Sequence, residues 1–415
     1  MRRILALALL VLVPVLLAGP WLIGRQTVDY TEQALTAFSQ QAGVTVITEA
    51  RDGGWFRGEL RHRLILNKAA ARPWQQYFQT AVFGDQPAFL IETRLDNGPV
   101  AFSSLHRPRG SLKPALQRAV SRVWLDKGQD EMTALPVHIY STVGIGGGIQ
   151  LEIDSGEGKL DISGYSESVA WQGLAAQVLS SRDAQDQAVE ASATTFDFVA
   201  ESFGLKATNL TLGAATQAGR LTRAFLDSKE LQFDEPALPS PEFYRDLQIR
   251  VAVTENDSRP NTRLQIQLGN YPLADGSELP VALDLSFEDL DGLALTRLPA
   301  SQDAFFSWLQ TLPKGETQML EIASLTVGDG EDAAVATGHM ELNGRALRRG
   351  DMEEILARSS GSVAIRMPIA AARQILVGDL AVLSAYMRTN GSDFEADLTL
   401  DAGKLSLNGT ELFQF

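Results

Sequence analysis

The sequence contains no cysteine. Thiolate catalysis, disulfide frameworks, thiolate zinc sites and iron–sulfur clusters are excluded in one step. A chain without thiols also suffers no mispairing in an oxidising compartment, which permits the periplasm and the cytosol alike. Histidine is scarce: His62, His106, His138 and His339 are the only four, and no two stand at i, i+2 or i, i+4. No HExxH or comparable metal-ligand spacing exists. No run of lysine and arginine occurs either. With 51 acidic against 36 basic residues the net charge is −15, which argues against nucleic acid as a partner, because a phosphate-tracking surface needs clustered cations. Only one stretch is apolar over a membrane's thickness.

That stretch opens the chain. Arg2 and Arg3 precede an uncharged run from Ile4 to Gly24, closed by Arg25. As a helix rising about 1.5 Å per residue, the run spans roughly 31 Å, close to the ~30 Å hydrocarbon core. A cleaved secretory signal wants small residues before its cleavage site. Leu16 and Leu17 stand there instead, and Pro20 follows Gly19. The sequence therefore predicts an uncleaved signal anchor over residues 1–25. It crosses the inner membrane through residues 4–24, with the N-terminus cytoplasmic and the bulk of the chain periplasmic. A cleaved signal peptide is the alternative, and it would leave a chain beginning near residue 20.

Beyond the anchor, 45% hydrophobic and 21% charged residues describe a folded chain. Asp29 and Glu32 have capping-box spacing and start a short helix ending at Gly43. The period then changes from helical to two. "VTVITEA", "ELRHRLIL" and "AFLIETRLDNGPVAF" alternate, and so do candidates down to the closing "DFEADLTLDAGKLSLNGTELFQF", a hairpin turning at Asp401-Ala402-Gly403. "KLDISGYSESVAWQGL" reads as one further strand. Four short helices are predicted: "SQDAFFSWLQTL", "DMEEILAR", "PIAAARQIL" and "PALQRAVSRVWL" around Pro114. Pro236, Pro239 and Pro241 cannot lie in an interior strand. They mark a boundary between an N-terminal β-rich half, 26–235, and a C-terminal one, 236–415. The expected class is α+β, predominantly β: an elongated, curved antiparallel sheet with a few short covering helices, preceded by one transmembrane helix. Ordinary sandwich packing is the alternative.

Catalytic patterns fail one by one. Gly164-Tyr165-Ser166-Glu167-Ser168 lacks the closing glycine of a nucleophile elbow. In the run Gly144, Gly146, Gly147, Gly148, Ile149 occupies the third glycine of a dinucleotide loop. "GDGEDA" from Gly328 matches the looser form but precedes a strand, not a helix. Both glycine segments read as hairpin turns. Asp329, Glu331 and Asp332 lack the calcium-loop pattern and read as a solvated acidic turn. His62, on the apolar side of a strand, reads as a core residue. No nucleophile–base pair, cofactor or metal site emerges, so the expectation is a non-enzymatic protein without cofactors.

One stretch has a different meaning. Gly53, Gly54, Trp55 and Phe56 form a turn feeding an alternating strand, after a basic start, an anchor and a helix. Gly98 and Pro99 form a second turn, Trp171 and Gly173 a W-x-G-L segment, and Asn408 and Gly409 a terminal L-x-x-N-G strand. In this order they resemble the YdgA-like family of Gram-negative envelope proteins, over essentially the whole chain. Asn97 stands where that family's pattern has histidine. The resemblance implies an inner-membrane-anchored, β-rich periplasmic protein with no established catalytic activity, and it makes these ten residues structural markers, not ligands. Two functions are compatible with such a chain. One is a long amphipathic sheet whose apolar face holds or conducts lipid or another acyl ligand. The other is a scaffold with a closed sheet core that binds envelope proteins.

Overall fold

The computed structural model describes residues 44–52, 57–66, 88–97, 115–126, 132–144, 146–161, 168–183, 185–200, 203–234, 242–256, 259–272, 278–288, 317–349, 352–375 and 384–414. The anchor, the helix before Gly43, the Gly53–Phe56 turn, Gly98-Pro99 and the "SQDAFFSWLQTL" helix lie outside these residues. Among the described residues, no helix is long and apolar enough to cross a membrane. The described chain is mostly strand, in open antiparallel sheet, with few short helices.

The chain divides into two compact units, residues 1–204 and 205–415. The first holds β1 (Val44–Asp52), β2 (Arg57–Leu66), β3 (Ala88–Asn97) and β4 (Ala115–Asp126). It continues with β5 (Met132–Gly144), β6 (Ile149–Asp161), β7 (Ser168–Ser180) and β8 (Gln187–Ala200). Each strand pairs antiparallel with the next.

The second unit starts within β9 (Phe203–Gln217) and continues through β10 (Arg220–Asp234), β11 (Glu242–Asn256), β12 (Arg259–Pro272) and β13 (Glu278–Glu288). Next come β14 (Thr317–Val327), β15 (Ala334–Asn343) and β16 (Ser360–Pro368). The chain ends with β17 (Arg388–Asn390), β18 (Asp393–Asp401), β19 (Lys404–Leu407) and β20 (Thr410–Gln414). The meander is interrupted once. β16 pairs with β18, and β17 and β19 share the other edge of β18. β10 and β11 pair antiparallel, and the proline connector at 236–241 lies outside the described residues.

Turn chemistry sets several reversals. Ala218-Gly219, Ala402-Gly403 and Asn408-Gly409 each combine two positive φ values, 51° and 76°, 48° and 83°, 51° and 81°. Two such residues between paired strands match strand twist, and the hairpin predicted at Asp401–Gly403 is one of these. The Gly144–Gly148 run is also a hairpin turn: Gly147 N donates to Gly144 O at 2.9 Å, and Gly144 N to Gly148 O at 2.9 Å. "GDGEDA" links β14 to β15 through a single 3-10 turn.

Two expectations change. The segment after Pro114 is not a helix but β4, hydrogen-bonded to β3 on one edge and β5 on the other. Its Ala, Leu, Gln and Arg are good helix formers, but propensity is worth only tenths of a kcal/mol per residue, and two ladders with Val120, Val123 and Trp124 outweigh it. "KLDISGYSESVAWQGL" is not one strand, because Asp161 pairs with Ser168 and the chain reverses between them.

Helix α1 (Gly344–Arg349) was not foreseen; α2 (Met352–Ala357) and α3 (Ile369–Ile375) correspond to predicted helices. Asn343 Oδ1 accepts from Ala346 N at 2.9 Å, an N-cap that starts α1. Fully buried apolar side chains form two small clusters. One is Leu60, Leu95 and Ala119 in the first unit. The other seats α3, through Ala371 and Ala372, on Ala334 and Met367 of the second unit's sheet.

One irregularity matters below. In β14, Ala323 and Ser324 together oppose a single residue on each neighbour, Asp284 in β13 and Thr337 in β15. This is a bulge shared by both ladders.

Candidate functional site

Directly opposed residues of an antiparallel pair share one face of a sheet. In the second unit this rule joins Ala224, Val251, Leu264, Leu285, Ile322, Gly338, Val363, Leu398 and Leu407 into one row crossing nine strands. A second row beside it runs Leu226, Ile249, Ile266, Leu283, Leu325, Ala336, Ile365 and Ala396. A third runs Val253, Thr262, Phe287, Leu320, Met340, Gly361, Leu400 and Leu405. None of these positions carries a charge, and Thr262 is the single polar side chain. In the first two rows every side chain is half-buried except Leu407 and Ala396, which are buried.

The opposite face of the same strands is charged. Arg263, which opposes Ser286, reaches diagonally to Asp284 and donates to it from Nε at 2.8 Å and from a terminal nitrogen at 2.5 Å. Gln265 Nε2 adds a third bond at 3.0 Å. The Arg263 bond holds the Asp284 carboxyl below the usual carboxylate range, outweighing the opposing effect of burial. Arg250 and Asp227 pair at 3.1 Å, and Glu321 lies opposite His339. Over these three rows the sheet is therefore amphipathic across its thickness, with these ion pairs on the face opposite them.

The marker residues that are described serve the backbone. In β7, Trp171 lies across from Gly158, where an added Cβ would come within 2.2 Å of the indole. Its Nε1 donates to Ser155 Oγ at 2.7 Å, and Ser155 is buried. Two residues on, Gly173 has φ +63°, and a Cβ there would meet Thr194 Oγ1 at 2.5 Å. W-x-G thus encodes a tryptophan laid over a glycine, followed by a left-handed residue in mid-strand. Asn408 Oδ1 accepts from Asp397 N at 2.9 Å and its Nδ2 donates to Tyr386 O at 2.7 Å, while Gly409 completes the turn. Gly53, Gly54, Trp55, Phe56, Gly98 and Pro99 lie outside the described residues. Asn97 is buried at the end of β3 and accepts from Gln117 Nε2 at 2.9 Å, an arrangement between two side chains of the sheet itself.

His62 is buried on β2, whereas His138 and His339 are exposed. Among the described residues, no three metal-ligating side chains converge. The feature that sequence reasoning outlined but could not locate is the uncharged face of β10–β19, because its rows exist only once register is known.

Residues 1–327 match the family described as bacterial protein of unknown function (DUF945). The chain belongs to this family. Its matched span includes Trp171 and Gly173 and ends at Val327, the last residue of β14. Asn408 and Gly409 therefore lie beyond it, so the family match covers less of the chain than the motif order implied. No curated protein and no solved structure matches the chain.

Proposed function

We propose that this protein is a non-enzymatic, YdgA-like member of the DUF945 family, anchored in the inner membrane, that holds or conducts lipid on the apolar face of its sheet. The observation behind this reading is the uninterrupted uncharged face of β10–β19. Eight strands about 4.8 Å apart, carrying three rows about 7 Å apart along each strand, give an apolar area on the order of 500 Å². That is the size of the largest patch on an ordinary soluble monomer, ~300–600 Å², and such patches are often functional. The anchor predicted over residues 4–24 would hold this face close to a source of acyl chains. The envelope, the membrane tether and the lipid belong to this reading together.

The test is lipid extraction of the full-length protein purified in mild detergent, followed by mass spectrometry. Membrane lipid should co-purify, and Ile322→Asp, which puts a charge in the first row, should abolish it. Recovery of no lipid from the unaltered protein overturns the reading. A second reading has one observation in its favour. Helix α3 already covers part of the face, as it would in a scaffold whose sheet closes on itself. In-cell crosslinking that yields one envelope protein and no lipid adduct supports the scaffold.

A further inference from the structure

Thr262 is the polar exception within the three rows; one step beyond them on the same face, Gln318 of β14 is also buried with an unpaired amide. It lies in β12 between Val253 and Phe287, is 4% exposed, and its Oγ1 has no hydrogen-bond partner among the described residues. A buried hydroxyl left unpaired is destabilising, and an apolar residue of the same shape would remove that cost. The hydroxyl is explained by a partner that arrives from outside the chain.

Three further observations restrict that partner. Among the described residues the three rows hold no cation, so a desolvated carboxylate there would find no counter-charge, whereas a neutral ester carbonyl needs only the hydroxyl. Helix α3 stands on the sheet over Ala334 and Met367. A helix is about 10 Å across, so this wall keeps a flat second sheet or a second copy off the neighbouring rows. It also stands in the way of travel along β15 and β16, whereas the rows run across the strands. From β12 to β18 there are five inter-strand steps of about 4.8 Å, or roughly 24 Å. That accommodates one acyl chain, since a single leaflet's chains span about 15 Å of the ~30 Å hydrocarbon core.

We infer that the occupant is a phospholipid whose ester carbonyl accepts a hydrogen bond from Thr262 and whose acyl chain lies across the strands, over β13 to β16. The chain follows the row through Leu285, Ile322, Gly338 and Val363, with α3 as its side wall. Val253 and Phe287, flanking Thr262, change rotamer to admit the carbonyl, and the headgroup stays outside the face. This inference rests on the lipid-binding reading above and specifies the lipid's class, direction and polar contact.

The experiment uses the full-length protein and vesicles of phosphatidylethanolamine and phosphatidylglycerol doped with a diazirine-acyl phosphatidylethanolamine. Photo-adducts are mapped by mass spectrometry and apparent affinity is read from their yield. Adducts should fall on the row residues of several strands. Thr262→Val should weaken binding about fivefold, the worth of one neutral hydrogen bond. Thr262→Ser, which keeps the hydroxyl, should retain it. The lipid-free melting temperature of Thr262→Val should not fall below that of the unaltered protein. Equal affinity for Thr262→Val and the unaltered protein overturns the inference, as does loss in Thr262→Ser matching that in Thr262→Val. Adducts confined to one strand or to the charged face, or free palmitate competing as well as the phospholipid, also overturn it. Adducts confined to the charged face would remove the apolar-face reading as well; each of the other outcomes leaves that reading intact. Absence of any lipid from the unaltered protein removes both.

Discussion

At the scale of the residue, the described family markers act through the backbone. Gly173 is in the left-handed region and has no room for a Cβ beside Thr194. Gly173→Ala should therefore lower unfolding stability by about 1–3 kcal/mol, measured by denaturant titration, with the slope of the transition unchanged. A loss under about 0.5 kcal/mol, ordinary for a surface change, would show that β7 relaxes there. Sequence reasoning singled out Trp171 and Gly173 but gave no reason for their spacing. The reason is across the sheet, in Gly158 and Thr194, and cross-strand neighbours are not visible to a reading along the chain. Thr262 shows the same limit more sharply. Threonine in an alternating strand is ordinary, and only register shows that its neighbours on that face are apolar.

At the scale of the element, alternation placed most strands correctly, and glycine-bearing pairs placed the hairpins. The failures came where local preference and pairing disagree. β4 has the composition of a modest helix and becomes a strand because β3 and β5 both need its edge. Helix α1 is short and depends on one cap, so no period announced it. The β12–β13 pair also carries a pH signature. Asp284 has a lowered pKa through Arg263, so its contribution is complete above the ordinary carboxylate value and fades as pH falls through the lower folded value. Asp284→Asn should cost about 0.2–1 kcal/mol at pH 7, discounted because the Arg263 side chain is 57% exposed. The gap to the unaltered protein should narrow as pH drops below about 4. Thermal melts at a series of pH values check this; a gap that widens in acid would mean another group dominates.

At the scale of the molecule, the reading depends on the first 25 residues as much as on the sheet. Their hydropathy is legible without any structure, and the length and lack of charge of residues 4–24 are what the proposed membrane span rests on. Mass spectrometry of the mature N-terminus should return the anchor intact in the membrane fraction. A chain beginning near residue 20 would mean release from the membrane, and lipid would then have to be carried instead of drawn from an adjacent bilayer. Which face of the sheet is apolar was beyond sequence reasoning, because a strand's two faces gain meaning only from the strands beside it.

The bulge at Ala323-Ser324 has a consequence for how such a surface survives mutation. Along β14 the apolar positions are Leu320 and Ile322, then Leu325 and Val327, so the spacing is two, then three, then two. The extra residue puts alternation out of phase by one, and the bulge, by setting two residues against one, puts it back. Were this same sequence a regular strand without the bulge, Leu325 and Val327 would point into the ions, and Thr326 would lie among the leucines. The continuity of the rows across nine strands thus depends on a one-residue correction of phase. Deleting either Ala323 or Ser324 would make the spacing two throughout and keep the track without a bulge, whereas flattening the bulge in the present sequence would cut the track in two.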